Sequence, residues 1–219
     1  MAALDPTTDL ADLLRRAAAG DPPPADGSVT VLPQAPGPVA AVLAFTNHHV
    51  IAADVEPAWV HDRLAHGDMS APVAAPFLHA LGQELGRPFD NLDLVLVAIG
   101  RPGPPGSDLV EVPSDHTHVR VARSLIYRTE VRTFSTPGGD GVLIIGRGLA
   151  GRWEAAFEVD PSVQGRGMGR ALAAAAVRLI PVGEPLYLQV SPGNVSSLRA
   201  VLATGSFKPL GAELLYPEP

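Results

Sequence analysis

Three glycines at alternate positions follow an apolar run that is typical of a strand. They occupy positions 165, 167 and 169 and open an alanine-rich stretch with helical spacing. Glycine tolerates positive φ angles, so the backbone amides of such a turn can converge on one point. The first turn of a helix adds unpaired N–H groups and the positive end of its dipole, which suit a phosphate. Because Arg166 and Arg170 add positive charge, this stretch is a candidate diphosphate-binding site.

Helices and strands around this turn must hold it in place, and their order is mixed. Alternating and apolar runs separated by Gly and Pro predict a mostly antiparallel central sheet flanked by helices, an α/β (α+β) fold. Residues 119–127 could form a helix or a strand, and we favour a helix. The predicted strands are 129–135, 142–145, 152–159, 186–190 and two short ones around Phe207 and Leu214; the predicted helices are 169–180 and one with Asn194 as its N-cap.

The N-terminal half contains fewer patterns that indicate a function. We divide the chain into a helix and linker (1–27), an N-terminal α/β extension of unknown role (28–91) and a C-terminal domain (92–219). The predicted elements in order are a helix at 8–19, a hairpin within 39–54, helices at 56–65 and 72–85, and a buried strand at 92–99.

His48 and His49 in the hairpin suggest a metal site. Adjacent residues on a strand point to opposite faces, however, so the two side chains cannot easily bind one ion. We therefore expect a turn or surface role for both histidines, and no metal site.

Composition excludes several functional classes. The 219 residues include no cysteine, so disulfides and thiolate catalysis are excluded, and the net charge of −7 argues against a nucleic-acid partner. No apolar run approaches the ~20 residues that span a bilayer, and the N-terminus lacks the pattern of a secretory signal. We expect a cytoplasmic protein with no membrane partner.

The run Gln164-Gly165-Arg166-Gly167-Met168-Gly169, placed between a strand and a helix, resembles the Gln/Arg-x-x-Gly-x-Gly/Ala signature of the GNAT superfamily of acyl-CoA N-acyltransferases. A helix that starts at Asn194 and ends before Gly205-Ser206-Phe207 resembles the second hallmark of that family. The resemblance covers roughly residues 92–216 and implies a GNAT-like domain there. A dinucleotide-binding fingerprint fits poorly, because Glu184 precedes the next strand instead of ending it.

The resemblance implies that acetyl-CoA, or another acyl-CoA, is the co-substrate. The amides of residues 165–169, with Arg166 and Arg170, would bind its pyrophosphate, and Gln164 would close the turn. The main chain of Phe157–Val159 would pair with the pantetheine arm. Asn194 would lie near the thiol end of that arm or only cap its helix. The cofactor-binding residues expected in this way are Phe157, Val159, Gln164, Gly165, Arg166, Gly167, Met168, Gly169, Arg170 and Asn194.

The family often places a glutamate on the strand before the glycine turn as general base. Glu154 and Glu158 lie there on one face, and we favour Glu154, with its pKa raised by apolar surroundings. The alternative is that both face solvent or pair with arginines such as Arg152. Many family members carry a tyrosine as general acid in the helix after the asparagine, where this chain has Val201 and Leu202. His116, His118 and Tyr127 are then fallback candidates, with a surface role as their alternative.

These features predict an acyl-CoA-dependent N-acetyltransferase acting on the primary amine of a small molecule or a peptide. The missing tyrosine favours an alternative, a catalytically reduced CoA-binding module with a regulatory or interaction role. Residues 1–90 match no family pattern, and they could form a partner-binding or homodimerising domain.

Overall fold

The computed structural model describes residues 9–65, 67–106, 108–115 and 117–219. It forms two compact units: unit 1 runs to Leu94 and takes in Leu210–Pro219, and unit 2 is Val95–Pro209. The sequence-based division assigned residues 210–219 to the C-terminal domain, whereas here they fold with unit 1. In the part of the chain that is described, no helix has the length and apolar composition to cross a membrane.

Most helices and strands lie close to their predicted positions, whereas the strands at 29–32 and 110–112 were not predicted. In chain order they are α1 (Leu10–Ala18), β1 (Val29–Leu32), β2 (Val39–Phe45), β3 (His48–Ala52), α2 (Pro57–His61), α3 (Ala75–Leu85), β4 (Asp93–Ile99), β5 (Val110–Val112), α4 (Val119–Tyr127), β6 (Thr129–Ser135), β7 (Gly141–Arg147), β8 (Trp153–Val159), α5 (Met168–Ala176), β9 (Pro185–Val190), α6 (Val195–Leu202) and β10 (Lys208–Pro217).

In unit 1 the strands lie in the order β1, β3, β2, β10. β3 runs parallel to β1 and antiparallel to β2, and β10 runs antiparallel to β2 from Ala212 to Pro217. Apolar side chains of α2 and α3, among them Val60 and Leu81, pack against this sheet in a core with Ile51 and Tyr216. The hairpin between β2 and β3 turns at Thr46 and Asn47, and Asn47 has a φ of 53°.

In unit 2 the strands lie in the order β4, β9, β8, β7, β6, β5. The pairs from β5 to β8 are antiparallel, and β8 is parallel to β9. Ala155 of β8 packs into a core with Leu172 and Ala176 of α5, so α5 covers that face of the sheet. The expected mixed, mostly antiparallel sheet flanked by helices is confirmed, as is the helix at 119–127.

Two local predictions are wrong. The C-terminal segment forms one strand, β10, instead of two short strands, because residues 212–217 pair continuously with β2. His48 and His49 lie in β3 and are buried, with 1% and 5% of their surface exposed, instead of in a turn or on the surface. They do point to different surroundings, as strand alternation predicts. The ring nitrogens of His48 lie 3.0 Å from Asp26 Oδ1 and 3.1 Å from Thr30 Oγ1.

Candidate functional site

Strands β8 and β9 are paired along less than half of β8. Their parallel register ends at the pair Ala155–Leu188, whereas the antiparallel register of β8 with β7 continues to Val159. Residues 156–159 therefore have a strand neighbour on one side only, within the described ranges. Because an unpaired strand edge presents free N–H and C=O groups, an extended molecule with amide groups can pair with it.

The glycine turn lies at the end of this same strand, directly before α5. Gly165 and Gly167 have φ angles of 77° and 89°, in the left-handed region that favours glycine. Gly167 is the N-cap of α5, and no side chain caps the helix there. A Cβ atom at either position would meet no atom within 4 Å. The N-terminus of α5 is thus free of a side-chain cap and lies beside an open glycine turn, as an anion site at a helix N-terminus requires.

Two cations flank the turn. Arg166 and Arg170 are both exposed. Neither guanidinium has an ion-pair partner among the residues that the structure describes. By contrast, four other arginines of unit 2 pair with a glutamate: Arg120, Arg128, Arg132 and Arg152. The two arginines beside the glycine turn are thus available to an anionic ligand.

The other predicted turn residues hold the loop in place. The side-chain amide of Gln164 donates to the carbonyl oxygen of Val159 at 3.0 Å, which confirms its expected turn-closing role. Gly169 packs closely, since a Cβ there would lie 3.4 Å from the Phe157 ring and 3.5 Å from Ala200. Met168 packs against the core of unit 2. The participation of these residues in cofactor binding stays a prediction.

Glu154 is fully buried and held by two arginines. Arg152 Nε donates to Glu154 Oε1 at 2.8 Å, and Arg128 Nε lies 2.9 Å from Oε2 as an ion pair without hydrogen-bond alignment. The backbone N–H of Leu149 also donates to Oε1, at 3.3 Å. A Cβ atom on Gly148 would overlap this carboxylate, so glycine is required there for the close approach.

The expectation that the pKa of Glu154 is raised is wrong. Burial by itself would raise the pKa, but the charges of Arg152 and Arg128 and the two hydrogen bonds together hold it below its ordinary value. The carboxylate is therefore ionised and engaged on both oxygens. This confirms the alternative of pairing with Arg152, and such an arrangement fixes backbone geometry more readily than it accepts a proton from a substrate.

Glu158 lies on the same face of β8, as predicted, but is exposed and pairs with Arg120 at 3.2 Å. Arg120 and Arg128 are eight residues apart on and just after α4, a rise of about 12 Å. Glu154 and Glu158 are four residues apart on a strand, about 13 Å. The two spacings match, so α4 lies antiparallel along the face of β8 opposite to α5. This arginine spacing is the sequence signal that could have identified Arg128.

The α6 positions where the family resemblance implies a tyrosine are apolar, and the fallback candidates for the general acid have other contacts. Val201 is fully buried in the core, and Leu202 is exposed. His118 caps α4 by accepting from the backbone N–H of Arg120 at 3.1 Å. The ring of Tyr127 lies 5.5 Å from the guanidinium carbon of Arg123. His116 lies outside the described residues.

Asn194 caps its helix, as one of the two expected roles requires. Its side-chain oxygen accepts from the backbone N–H of Ser197 at 3.1 Å, and the residue is exposed. Contact of Asn194 with the thiol end of a cofactor stays a prediction. Within the described ranges no group of three or more His, Asp or Glu side chains is placed to hold a metal ion.

Comparisons with known proteins give one kind of match. No protein-family model matches the chain, and no curated protein matches it. Among solved structures, it is similar to an acetyltransferase of the GNAT family from Colwellia psychrerythraea, with 11% identity and a TM-score of 0.37 over 66% of this chain and 63% of that one. It is also similar to a GCN5-related N-acetyltransferase from Sphaerobacter thermophilus, with 13% identity and a TM-score of 0.37 over 65% and 56%. The similarity thus spans less than two thirds of either protein's length.

Proposed function

We propose that the chain binds an acyl-CoA along the unpaired edge of β8 and transfers its acyl group to an amine. One observation carries this proposal above the others. The unpaired edge at residues 156–159 is followed, after a short connection at 160–164, by a glycine turn with no side-chain cap on α5. A long, flexible ligand with amide groups in its arm and a diphosphate at one end matches that sequence of features.

Each part of the site has a binding role in this proposal. The amides of residues 165–169 and the guanidinium groups of Arg166 and Arg170 hold the diphosphate. The backbone of residues 156–159 pairs with the amides of the pantetheine arm. Gln164, through its bond to Val159, keeps the turn closed against the strand end. The open positions beside Gly165 and Gly167, where a Cβ atom would meet nothing within 4 Å, support this role of the turn.

When bound, acetyl-CoA or another acyl-CoA would supply a thioester. In the transfer, the C–S bond breaks, a C–N bond to the amine forms, and one proton passes from nitrogen to sulfur. The chain contributes mainly alignment, because β8 fixes the donor arm along a defined line. Glu154 acts in this account as a positioning residue: with Arg152 and Arg128 it joins β8, the turn after β7 and the end of α4. The acceptor is a primary amine of a small molecule or peptide.

A second function is a CoA-binding module without turnover. Two observations favour it: the Glu154 carboxylate is engaged by two arginines, and the buried Val201 stands in α6 where the family resemblance implies a tyrosine. Such a module would bind CoA through the same turn and strand edge. It would release no thiol with any amine.

Calorimetry with CoA and acetyl-CoA, followed by a thiol-release assay over a panel of primary amines, tests both functions. The double variant Arg166→Glu, Arg170→Glu should weaken CoA binding by about tenfold or more, which corresponds to about 1.4 kcal/mol or more. Arg178→Glu is the matched control, since Arg178 is exposed and lies beyond the end of α5. No binding of CoA to the wild type at millimolar concentration contradicts both functions. Binding without thiol release contradicts the transferase and supports the module.

A further inference from the structure

Strands β8 and β9 separate at a point where neither strand ends. Their last paired residues are Ala155 and Leu188, and both strands continue beyond this pair. We call this point the fork, formed by that pair and by the next residue of each strand, Ala156 and Gln189. Adjacent parallel strands normally continue their hydrogen bonds while both stay extended, because separation leaves N–H and C=O groups to find other partners. The fork therefore requires a physical cause.

The guanidinium of Arg128 lies at the fork. Its Nε atom is 2.9 Å from Glu154 Oε2, its Nη1 atom donates to Ser124 Oγ at 3.3 Å, and its Nη2 atom donates to Gln189 Oε1 at 3.1 Å. Only 10% of the Arg128 side chain is exposed. The three nitrogens of one nearly buried group thus contact three different elements: β8, α4 and β9.

The two strand contacts of Arg128 fall on opposite sides of the fork. Glu154 is opposite Tyr187, in the part where the strands still pair. Gln189 is the first residue of β9 beyond the register with β8. Side chains two residues apart on a strand share a face, so Gln189 lies on the same face as Tyr187 and its partner Glu154. The guanidinium therefore spans from the paired part of the two strands to the open part, on one face of the sheet.

Arg128 is itself supported by α4. The hydroxyl of Ser124, which accepts from Arg128, donates to the carbonyl oxygen of Arg120 at 2.9 Å, and Arg120 Nε donates to Glu158 at 3.2 Å. Helix α4 thus contacts β8 on both sides of the fork, at Glu154 and at Glu158, and Arg128 extends this support to β9. Because a guanidinium is planar with fixed donor directions, it restricts the groups that it joins more strictly than an ammonium group does.

We propose that Arg128 is a positioning residue for the donor: by joining Glu154 to Gln189, it keeps the gap between β8 and β9 at a fixed width. This inference rests on the proposed function, because the gap borders residues 156–159, whose backbone would pair with the pantetheine arm. A gap of fixed width lowers the entropy cost of ordering the site when the arm binds. Loss of the bond to Gln189 should therefore weaken binding of the arm and leave binding at the glycine turn unchanged.

Calorimetry of the full chain with CoA and with ADP tests this role, since ADP carries a diphosphate without the pantetheine arm. Gln189→Leu removes the oxygen that accepts from Arg128. It should weaken CoA binding about tenfold, equivalent to about 1.4 kcal/mol, and leave ADP binding unchanged. Gln189→Glu keeps an acceptor oxygen at this position and should restore CoA binding. Arg132→Gln, which breaks an exposed ion pair with Glu111, is the control and should alter the binding of neither ligand.

Arg128→Lys separates positioning from folding. Lysine keeps a positive charge beside Glu154, but its single nitrogen cannot reproduce the three directed contacts of the guanidinium. Its melting temperature should stay closer to that of the wild type than the melting temperature of Arg128→Met does, while its CoA affinity falls as in Gln189→Leu. Wild-type CoA affinity in both Gln189→Leu and Arg128→Lys, or equal losses for CoA and ADP, would overturn this inference and leave the proposed function intact. Absence of CoA binding by the wild type would overturn both.

Discussion

Each unit buries a titratable side chain in a different way. In unit 2, Glu154 is completely covered, and both of its oxygens face arginines. In unit 1, His49 is almost completely covered, and its Nδ1 atom has no partner in the described part of the chain. A buried charge with partners fixes the geometry of the elements that supply them, whereas a buried polar atom without a partner costs free energy in the folded protein.

The two units also differ in formal charge. Unit 2 holds 12 basic and 9 acidic side chains, a formal charge of +3, whereas unit 1 holds 4 basic and 14 acidic ones, a formal charge of −10. The cations beside the glycine turn, Arg166 and Arg170, are unpaired among described residues and suit an anionic donor. A buried group with a shifted pKa does not by itself identify a functional site. Glu154 and His49 differ in whether other groups of the protein already pair with them.

Removing the Glu154 charge gives the largest expected effect. Glu154→Gln removes the buried carboxylate that pairs with both Arg128 and Arg152, and should lower the free energy of unfolding by about 3–5 kcal/mol in urea denaturation. Glu158→Gln on the same strand face is the control, because its ion pair with Arg120 is exposed and such pairs contribute about 0–1 kcal/mol. Equal effects of the two substitutions would show that burial does not distinguish these carboxylates.

Gly148→Ala tests the same cluster from its other side. The added methyl group would overlap the Glu154 carboxylate and force it away from Arg152. We expect a loss of about 1–3 kcal/mol in unfolding free energy, as for other overpacked sites. Gly139→Ala, where a Cβ would meet nothing but φ is 73°, measures the cost of backbone strain alone. A loss at Gly148 no greater than at Gly139 would contradict the close contact.

The pH dependence of stability follows from the lowered pKa of Glu154. A carboxylate whose pKa falls on folding stabilises the protein above its unfolded pKa, and this contribution is lost as the pH falls through the folded pKa. As the pH falls below 4.5, the ordinary pKa of a glutamate side chain, the wild type should therefore lose stability more steeply than Glu154→Gln does. Asp26 and Asp160 also have lowered pKa values but are present in both proteins. Parallel acid curves for the two proteins would contradict the assignment.

His49→Leu gives the smallest expected change in stability and has the opposite sign. Because the buried Nδ1 atom is unpaired, an apolar side chain of similar size should leave the unfolding free energy unchanged or raise it by about 1 kcal/mol. His48→Leu is the contrasting variant, since it breaks contacts with Asp26 and Thr30 and should be destabilising. Equal losses at both histidines, by thermal denaturation, would remove the distinction between them.

Local patterns predicted much of unit 2. The strands at 129–135 and 152–159 and the Asn194 cap follow from alternation, turn residues and capping preference, which act over a few neighbouring residues. The point at which two strands stop pairing does not follow from such local patterns. Nothing in the run 153–159 shows that β9 separates from β8 after Ala155, because pairing depends on the path of another strand.

The missed features depend on partners distant in sequence. Besides Arg152, the pKa of Glu154 is lowered by Arg128, 26 residues before it. Burial of His48 is made possible by Asp26, 22 residues before it. A sequence window of one helix or strand contains neither pair. The signal for the first pair was the match between arginine spacing on a helix and glutamate spacing on a strand.

Hydrogen exchange of the full chain with and without saturating CoA tests the central claim, that the unpaired edge of β8 and the glycine turn bind the donor. We expect slower exchange of the backbone amides of residues 156–159 and 165–169, and no change in unit 1 or in β6, which is paired on both sides. Protection of other segments with no change at these two, or no protection anywhere at saturating CoA, would contradict it.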